Sequence, residues 1–182
     1  MTSAPDWTWS YEGYAAAEEQ LRESLCTLGN GYFATRGAAP EAVADGVHYP
    51  GTYVAGCYNR LTSRVAGREV ENEDMVNLPN WLPLRMRADG GPWFSPEVCS
   101  VQEYGLVLDL RAGTLTRRTR MTDPAGRTVT AEETRLVHMG DPHLAAQRMR
   151  ITAEGWAGEL EVESGLDGDV RNEGVERYRD LA

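Results

Sequence analysis

The chain has no lysine. Its 18 basic residues are all arginine, and 28 acidic ones outnumber them for a formal charge of −10. Arginines so scattered and so outweighed remove the electrostatic case for nucleic acid or an anionic membrane as partner. No apolar run approaches the roughly 18 residues of a membrane-spanning helix. The start, MTSAPDWTWSYEGY, reads as polar and aromatic rather than as a secretory leader. Cysteine is sparse: Cys26, Cys57 and Cys99 are too widely spaced for a zinc knuckle or a redox pair. Their odd number, with no leader, favours free thiols in a reducing compartment, and the expected location is cytoplasmic. Histidine is equally sparse, at His48, His138 and His143. The last two bracket Asp141, but without a helix to align them or a fixed third ligand they predict no metal site. No Gly-x-Ser-x-Gly elbow is present to start a serine triad, and Cys57 has no identifiable base. No cofactor is expected.

What is there is a turn-rich globular chain. It is 41% hydrophobic with 19 glycines and 9 prolines in 182 residues, enough for one sizeable domain or a large part of one. Residues 1–14 read as a lead-in. AAAEEQLRESLCTL, residues 15–28, favours a short helix, ended by the glycines at 29 and 31. From 38 to 97, proline and glycine interrupt every apolar run, while Tyr49, Tyr53, Tyr58, Trp81 and Trp93 supply large rigid rings. That pattern predicts packed loops and short strands. Beyond residue 99 the grammar changes. VQEYGLVLDL, AGTLTRRTRMT, RTVTAEETRLVHM and HLAAQRMRI read as strands, with DPAG at 123–126 as a chain reversal. In WAGELEVES, Trp156, Leu160 and Val162 face one way and Glu159, Glu161 and Glu163 the other, as in a half-buried antiparallel strand. GDP at 140–142 and LDG at 166–168 read as further turns. The predicted class is mainly β: a large antiparallel β-sandwich. It reads as incomplete, because its last strands would leave an edge or face that another segment normally covers.

The run LCTLGNGYFATRG, residues 25–37, poses the first question of function. Gly29, Asn30 and Gly31 lack the lysine of a phosphate loop, and Phe33 stands where a dinucleotide fingerprint needs a third glycine. A structural turn is the preferred reading, with a ligand contact through the Arg36 fork as the alternative. Glu71, Glu73 and Asp74 cluster in VENEDMVN. Glycoside chemistry needs carboxylates on opposite sides of a bond, which neighbours in one loop do not supply. The segment reads as a solvated acidic loop, with anchoring by Asp74 as the next choice. VNLPNWLPLRMR, residues 76–87, is the best binding candidate. Trp81 can stack on the apolar face of a sugar, while Asn77, Asn80 and Arg85 offer hydrogen bonds. The same ring can instead pin the loop to a sheet, which is the commoner use.

TLGNGYFATRG (27–37), YPGTYVAGCYNR (49–60) and VNLPNWLPLR (76–85) resemble the opening segments of glycoside hydrolase family 65, as do LDLRAGTLTR (108–117), DPAGR (123–127) and LDGDVRNEGVERY (166–178). That family includes maltose, trehalose and kojibiose phosphorylases. The resemblance implies most of the N-terminal β-sandwich of a longer enzyme, spanning residues 15–182. An (α/α)6 barrel, absent here, would carry the proton-donating glutamate and the phosphate site. No catalytic residue is therefore placed on this chain; Asn30, Arg36, Asp74 and Trp81 match the family's opening motifs, which do not identify them as catalytic. Full-length relatives would perform inverting phosphorolysis of an α-glucosyl disaccharide to β-glucose 1-phosphate, with inorganic phosphate as co-substrate, or hydrolysis with water. The resemblance also implies the barrel as packing partner and a homodimer as an option for the full-length form. A stand-alone carbohydrate-binding module and a non-catalytic remnant stay open as alternatives.

Overall fold

The computed structural model describes residues 7–170 and 172. In chain order its strands are β1 (Thr8–Glu12), β2 (Leu28–Gly29), β3 (Phe33–Thr35), β4 (Thr52–Val54), β5 (Tyr58–Val65), β6 (Arg68–Met75), β7 (Leu84–Ala88), β8 (Ser100–Asp109), β9 (Thr114–Thr122), β10 (Thr128–Val137), β11 (Ala145–Glu154) and β12 (Leu160–Ser164). A 3-10 turn at Ala16–Glu18 leads into the helix α1 (Glu19–Leu25). The fold is antiparallel and sandwich-like. One layer is the sheet β1-β8-β9-β10-β11; the short sheets β2-β3-β4 and β12-β7 are separate from it, and among the described residues β5 pairs only with β6.

The main sheet follows from period-two alternation. Along β9 and β10 nearly every second residue is buried. Two apolar clusters result. Met121, Val129 and Ala131 pack with Met86, Ala88 and Phe94, while Leu115 and Val137 pack with Cys26, Leu28, Leu106 and Leu108. Each large side chain so buried contributes about 1.5–3 kcal/mol. Between the clusters runs a buried polar band. Arg117 binds Glu41 through both terminal nitrogens, and Arg135 Nε and Nη2 donate to the two oxygens of Glu133 at 2.8 and 2.9 Å. Tyr104 OH donates to Glu19 at 2.8 Å, and its ring lies 5.1 Å from the Arg117 guanidinium. Pairing is what makes such groups tolerable away from water.

Turn chemistry fixes the register. Asp123 Oδ1 accepts from the N–H groups of Ala125 (3.0 Å) and Arg127 (2.9 Å), and Gly126 takes φ +85°, so DPAG reverses the chain between β9 and β10. Elsewhere the structure differs from the sequence pattern. Residues 8–12 of the lead-in form β1, which pairs with β8. The helix stops at Leu25, ahead of the glycines: Cys26 leaves the helical region at φ −96° and ψ 24°, and Thr27 N–H and Oγ1 both donate to the Ser24 carbonyl in a tightened last turn. Gly37 then passes so close that a Cβ there would lie 2.7 Å from Cys26 Cβ. Glu71, Glu73 and Asp74 lie on a strand, β6, rather than in a loop. Trp156 precedes β12, packs on the core and donates to the Thr128 carbonyl at 2.7 Å, whereas Val162 is exposed. At the LDG segment Asp167 bridges Asn80 through its backbone, while its Oδ1 accepts from Asp169 N–H at 2.9 Å in a local Asx turn. Residues 1–6, 171 and 173–182, which include part of LDGDVRNEGVERY, lie outside the described residues.

Candidate functional site

The glycine-rich run is a tight β2–β3 turn. Asn30 Oδ1 accepts from the N–H groups of Tyr32 (3.0 Å) and Phe33 (2.8 Å), and Gly31 takes φ +87°. Its Nδ2 donates to the carbonyls of His138 (2.8 Å) and Pro142 (3.2 Å), stitching this turn to the β10–β11 connection. The Asn30 side chain is thus engaged on both sides, and Gly29 lies in β2 with its α-carbon facing Ala34. Arg36 donates from Nη2 to the Gln20 carbonyl at 2.9 Å and lies 5.2 Å from the centre of the Tyr49 ring.

The VNLPNW segment is turned inward. Asn77 Oδ1 accepts from Thr52 N–H (2.9 Å) and Nδ2 donates to the Pro50 carbonyl (3.1 Å). Asn80 Oδ1 accepts from Leu82 N–H at 3.1 Å, and its backbone exchanges two bonds with Asp167. Trp81 meets Phe33 edge-on with ring centres 6.1 Å apart, and its Nε1 is buried without a partner among the described residues. Asp74 Oδ2 is in the same condition. Arg85 stands on the β7–β12 ribbon, where it donates to Glu163 at 2.9 Å and lies 4.3 Å from the Trp93 ring centre. Arg36, whose backbone N–H donates to the Gly51 carbonyl at 2.8 Å, and Asn77 therefore meet at residues 50–52, while Arg85 is held elsewhere.

A second constellation carries no sequence motif. A cavity of 480 Å³ is lined by Tyr14, Asp45, His48, Trp93, Glu97 and Tyr104, with further groups at its rim. His48 is 5% exposed. Its Nδ1 lies 2.7 Å from Glu23 Oε1, and Glu23 Oε2 accepts from Tyr49 N–H at 2.8 Å. Asp45 Oδ1 accepts from the N–H groups of Val47 and His48, both at 2.7 Å. On the other side, His48 Nε2 stands 3.8 Å from Glu97 Oε1, which accepts from Tyr14 OH at 2.8 Å. Burial alone would lower the His48 pKa, but the Glu23 bond and the charges of Glu23, Asp45 and Glu19 outweigh it and raise it above the ordinary value. Burial opposes ionisation of Glu97 as well; bonds from Ser95 and Tyr14 nevertheless hold its carboxyl below the usual range. Carboxylates thus stand beside both ring nitrogens of His48, Glu23 at Nδ1 and Glu97 at Nε2. Among the described residues no group of His, Cys, Asp and Glu has the makings of a metal site, and no helix is long and apolar enough to cross a membrane.

Comparison with known proteins matches residues 9–182 to the glycosyl hydrolase family 65 N-terminal domain. An uncharacterized glycosyl hydrolase of Mycobacterium tuberculosis is 47% identical over 97% of this chain, which spans 13% of that protein. The trehalose 6-phosphate phosphorylase of Lactococcus lactis is 34% identical over 96% of this chain and 22% of its own length. A kojibiose phosphorylase of Caldanaerobacter subterraneus is 32% identical over 95% of this chain and 21% of its own length. A solved structure from the human microbiome, provisionally named a kojibiose phosphorylase, shares the fold with a TM-score of 0.72 at 21% identity, over 81% of this chain and 20% of that one. The chain spans under a quarter of each of these relatives; it belongs to glycosyl hydrolase family 65 and corresponds to the N-terminal domain of that family.

Proposed function

We propose that the chain is the non-catalytic N-terminal domain of an α-glucoside disaccharide phosphorylase or hydrolase, where it supports a separate (α/α)6 catalytic barrel. The observation that carries this reading is the match of residues 9–182 to an N-terminal domain that occupies 21–22% of the phosphorylase relatives. The exposed face of helix α1 favours this reading. It buries Glu19, Arg22 and Glu23 but leaves Leu21 60% and Leu25 53% exposed, an apolar pair one turn apart. In this reading Trp81, Asn77, Asn80, Arg85 and Arg36 support a pocket from behind, while Gly29, Asn30, Gly31 and Asp74 shape the loops. The whole enzyme would transfer the glucosyl unit to phosphate, giving β-glucose 1-phosphate, or to water. A cytoplasmic location and a homodimeric whole enzyme belong to the same proposal.

The test compares the 182-residue chain with the whole polypeptide of its gene, assayed on trehalose, maltose and kojibiose with and without phosphate. Release of β-glucose 1-phosphate is expected from the whole polypeptide and not from the chain alone. Phosphate-dependent release by the chain alone would overturn the support role.

A further inference from the structure

We propose that the 480 Å³ cavity between Tyr14, His48, Trp93 and Glu97 is a binding site for a neutral, polyhydroxylated ligand of mono- or disaccharide size. The volume falls within the roughly 300–1,000 Å³ of ligand pockets. Charge selects the class. Glu41, on the wall, is neutralised by Arg117, and Glu23, behind the wall, faces His48. The lining sets the carboxylates of Asp45 and Glu97 beside His48 and Arg85, so an ion of either sign meets a like charge as well as an opposite one. A neutral ligand that both donates and accepts hydrogen bonds meets neither penalty. The His48 ring offers hydrogen bonding to the cavity, and Asp45 and Glu97 offer carboxylate acceptors. Ala42, Val43, Pro92, Pro96 and Val98 provide apolar contact for the C–H faces of a sugar ring.

Two details point to a ligand rather than an idle hollow. His48 is fixed before any ligand arrives, by Glu23 on its ring and Asp45 on its backbone, so little ordering cost remains for binding. Its Nε2 and Glu97 Oε1 are 3.8 Å apart, beyond hydrogen-bond reach. A hydroxyl inserted beside them would bond to both, as a bridging water does in other polar gaps.

The experiment is a 15N NMR titration of the 182-residue chain with maltose, trehalose, glucose 6-phosphate and arginine methyl ester. Saturable shifts are expected from the neutral sugars at the Trp93 indole and the amides of 93–98. Glucose 6-phosphate and the arginine ester should bind at least roughly tenfold more weakly, the worth of one misplaced charge interaction. Val43, 56% exposed at the rim, offers a steric block: Val43→Trp should abolish the shifts. Glu97→Gln, at a side chain 52% exposed, should weaken binding roughly tenfold with the fold intact, so the proposal stays testable if the bulky variant misfolds. No saturable shift at roughly 50 mM sugar, far above a Kd of about 1 mM, would overturn the proposal. So would sugar shifts that survive both substitutions, or tighter binding of the arginine ester. None of these outcomes touches the support role, which is read from catalysis by the whole polypeptide.

Discussion

Two hairpins of nearly equal length behave in opposite ways. β9–β10 has strands of 9 and 10 residues, and β5–β6 has strands of 8 each. In both, arginines on the first strand face glutamates on the second: Arg117 opposite Glu133 and Arg118 opposite Glu132, against Arg60 opposite Glu73 and Arg64 opposite Glu69. Yet one hairpin buries nearly every second residue, and the other has no buried residue in either strand. The difference is position. β9 and β10 lie inside the main sheet with strands on both sides, while among the described residues β5 and β6 pair only with each other. Alternating charge therefore predicts who pairs with whom across a hairpin, but it does not predict which ions lose their water.

The largest expected effect breaks the buried band. Glu133→Ala leaves Arg135 buried without its carboxylate and should cost about 3–5 kcal/mol in urea unfolding. Glu73→Ala, at an exposed ion pair on β6, should stay within about 0.5 kcal/mol. Similar costs for the two would remove the contrast. A sharper version replaces both buried partners, Glu133→Leu with Arg135→Met, and should recover most of the loss because apolar groups of that size need no partner.

Next in size is the turn that closes the packed hairpin. Asp123 is buried, accepts two backbone N–H groups and binds Arg127 with its second oxygen at 2.8 Å. Asp123→Ala should cost about 1.5–3 kcal/mol, since its bonds are charge-assisted and the freed donors lie partly out of water. The measurement is again the urea midpoint, with an unchanged slope expected if the native state keeps its compactness.

A smaller effect separates the packed layer from the exposed ribbon by pH. His48 is held by Glu23, so its pKa is raised in the folded chain. A raised folded value gives stability that is fully present below the unfolded pKa, about 6.5, and lost as pH rises through the folded value. Thermal midpoints should therefore fall as pH climbs from near 6.5 upward. His48→Gln should flatten that slope. A slope that persists in the variant would assign the effect to another group.

How much of this was legible in the sequence depends on the region. β8 to β11 could be read because their alternation has period two and Asp-Pro-x-Gly marks the turn, and the glycine run was readable as a turn because it lacked what phosphate binding requires. β5–β6 was missed, since polar residues occupy both faces and its turn is Ala66-Gly67 rather than Asn-Gly or Asp-Gly. The inward use of Asn77 and Asn80 was equally hidden: an asparagine that satisfies a buried loop has the same composition as one that awaits a sugar. The cavity was least visible of all. Tyr14 and Glu97 meet across 83 residues and Glu23 and His48 across 25, so no local spacing could announce them.

The smallest expected effect tests whether the exposed hairpin is a unit of its own. Ala66 and Gly67 both take positive φ, +51° and +79°, and together form the two-residue reversal between Val65 and Arg68. Glycine accepts that backbone freely, but alanine pays about 1–2 kcal/mol for the left-handed region. Asparagine tolerates it better through its short polar side chain. Ala66→Asn should therefore stabilise the hairpin by up to about 1 kcal/mol. Where that gain appears is the informative part. Because no residue of β5 or β6 is buried, the hairpin can open without disturbing the sandwich, and amides with low-cost local openings exchange independently of global unfolding. Slower exchange at residues 61–72 with an unchanged urea midpoint is the expected result. A gain in the midpoint itself would mean that the ribbon unfolds together with the main sheet, and the contrast between the two hairpins would then be one of burial alone, not of cooperativity.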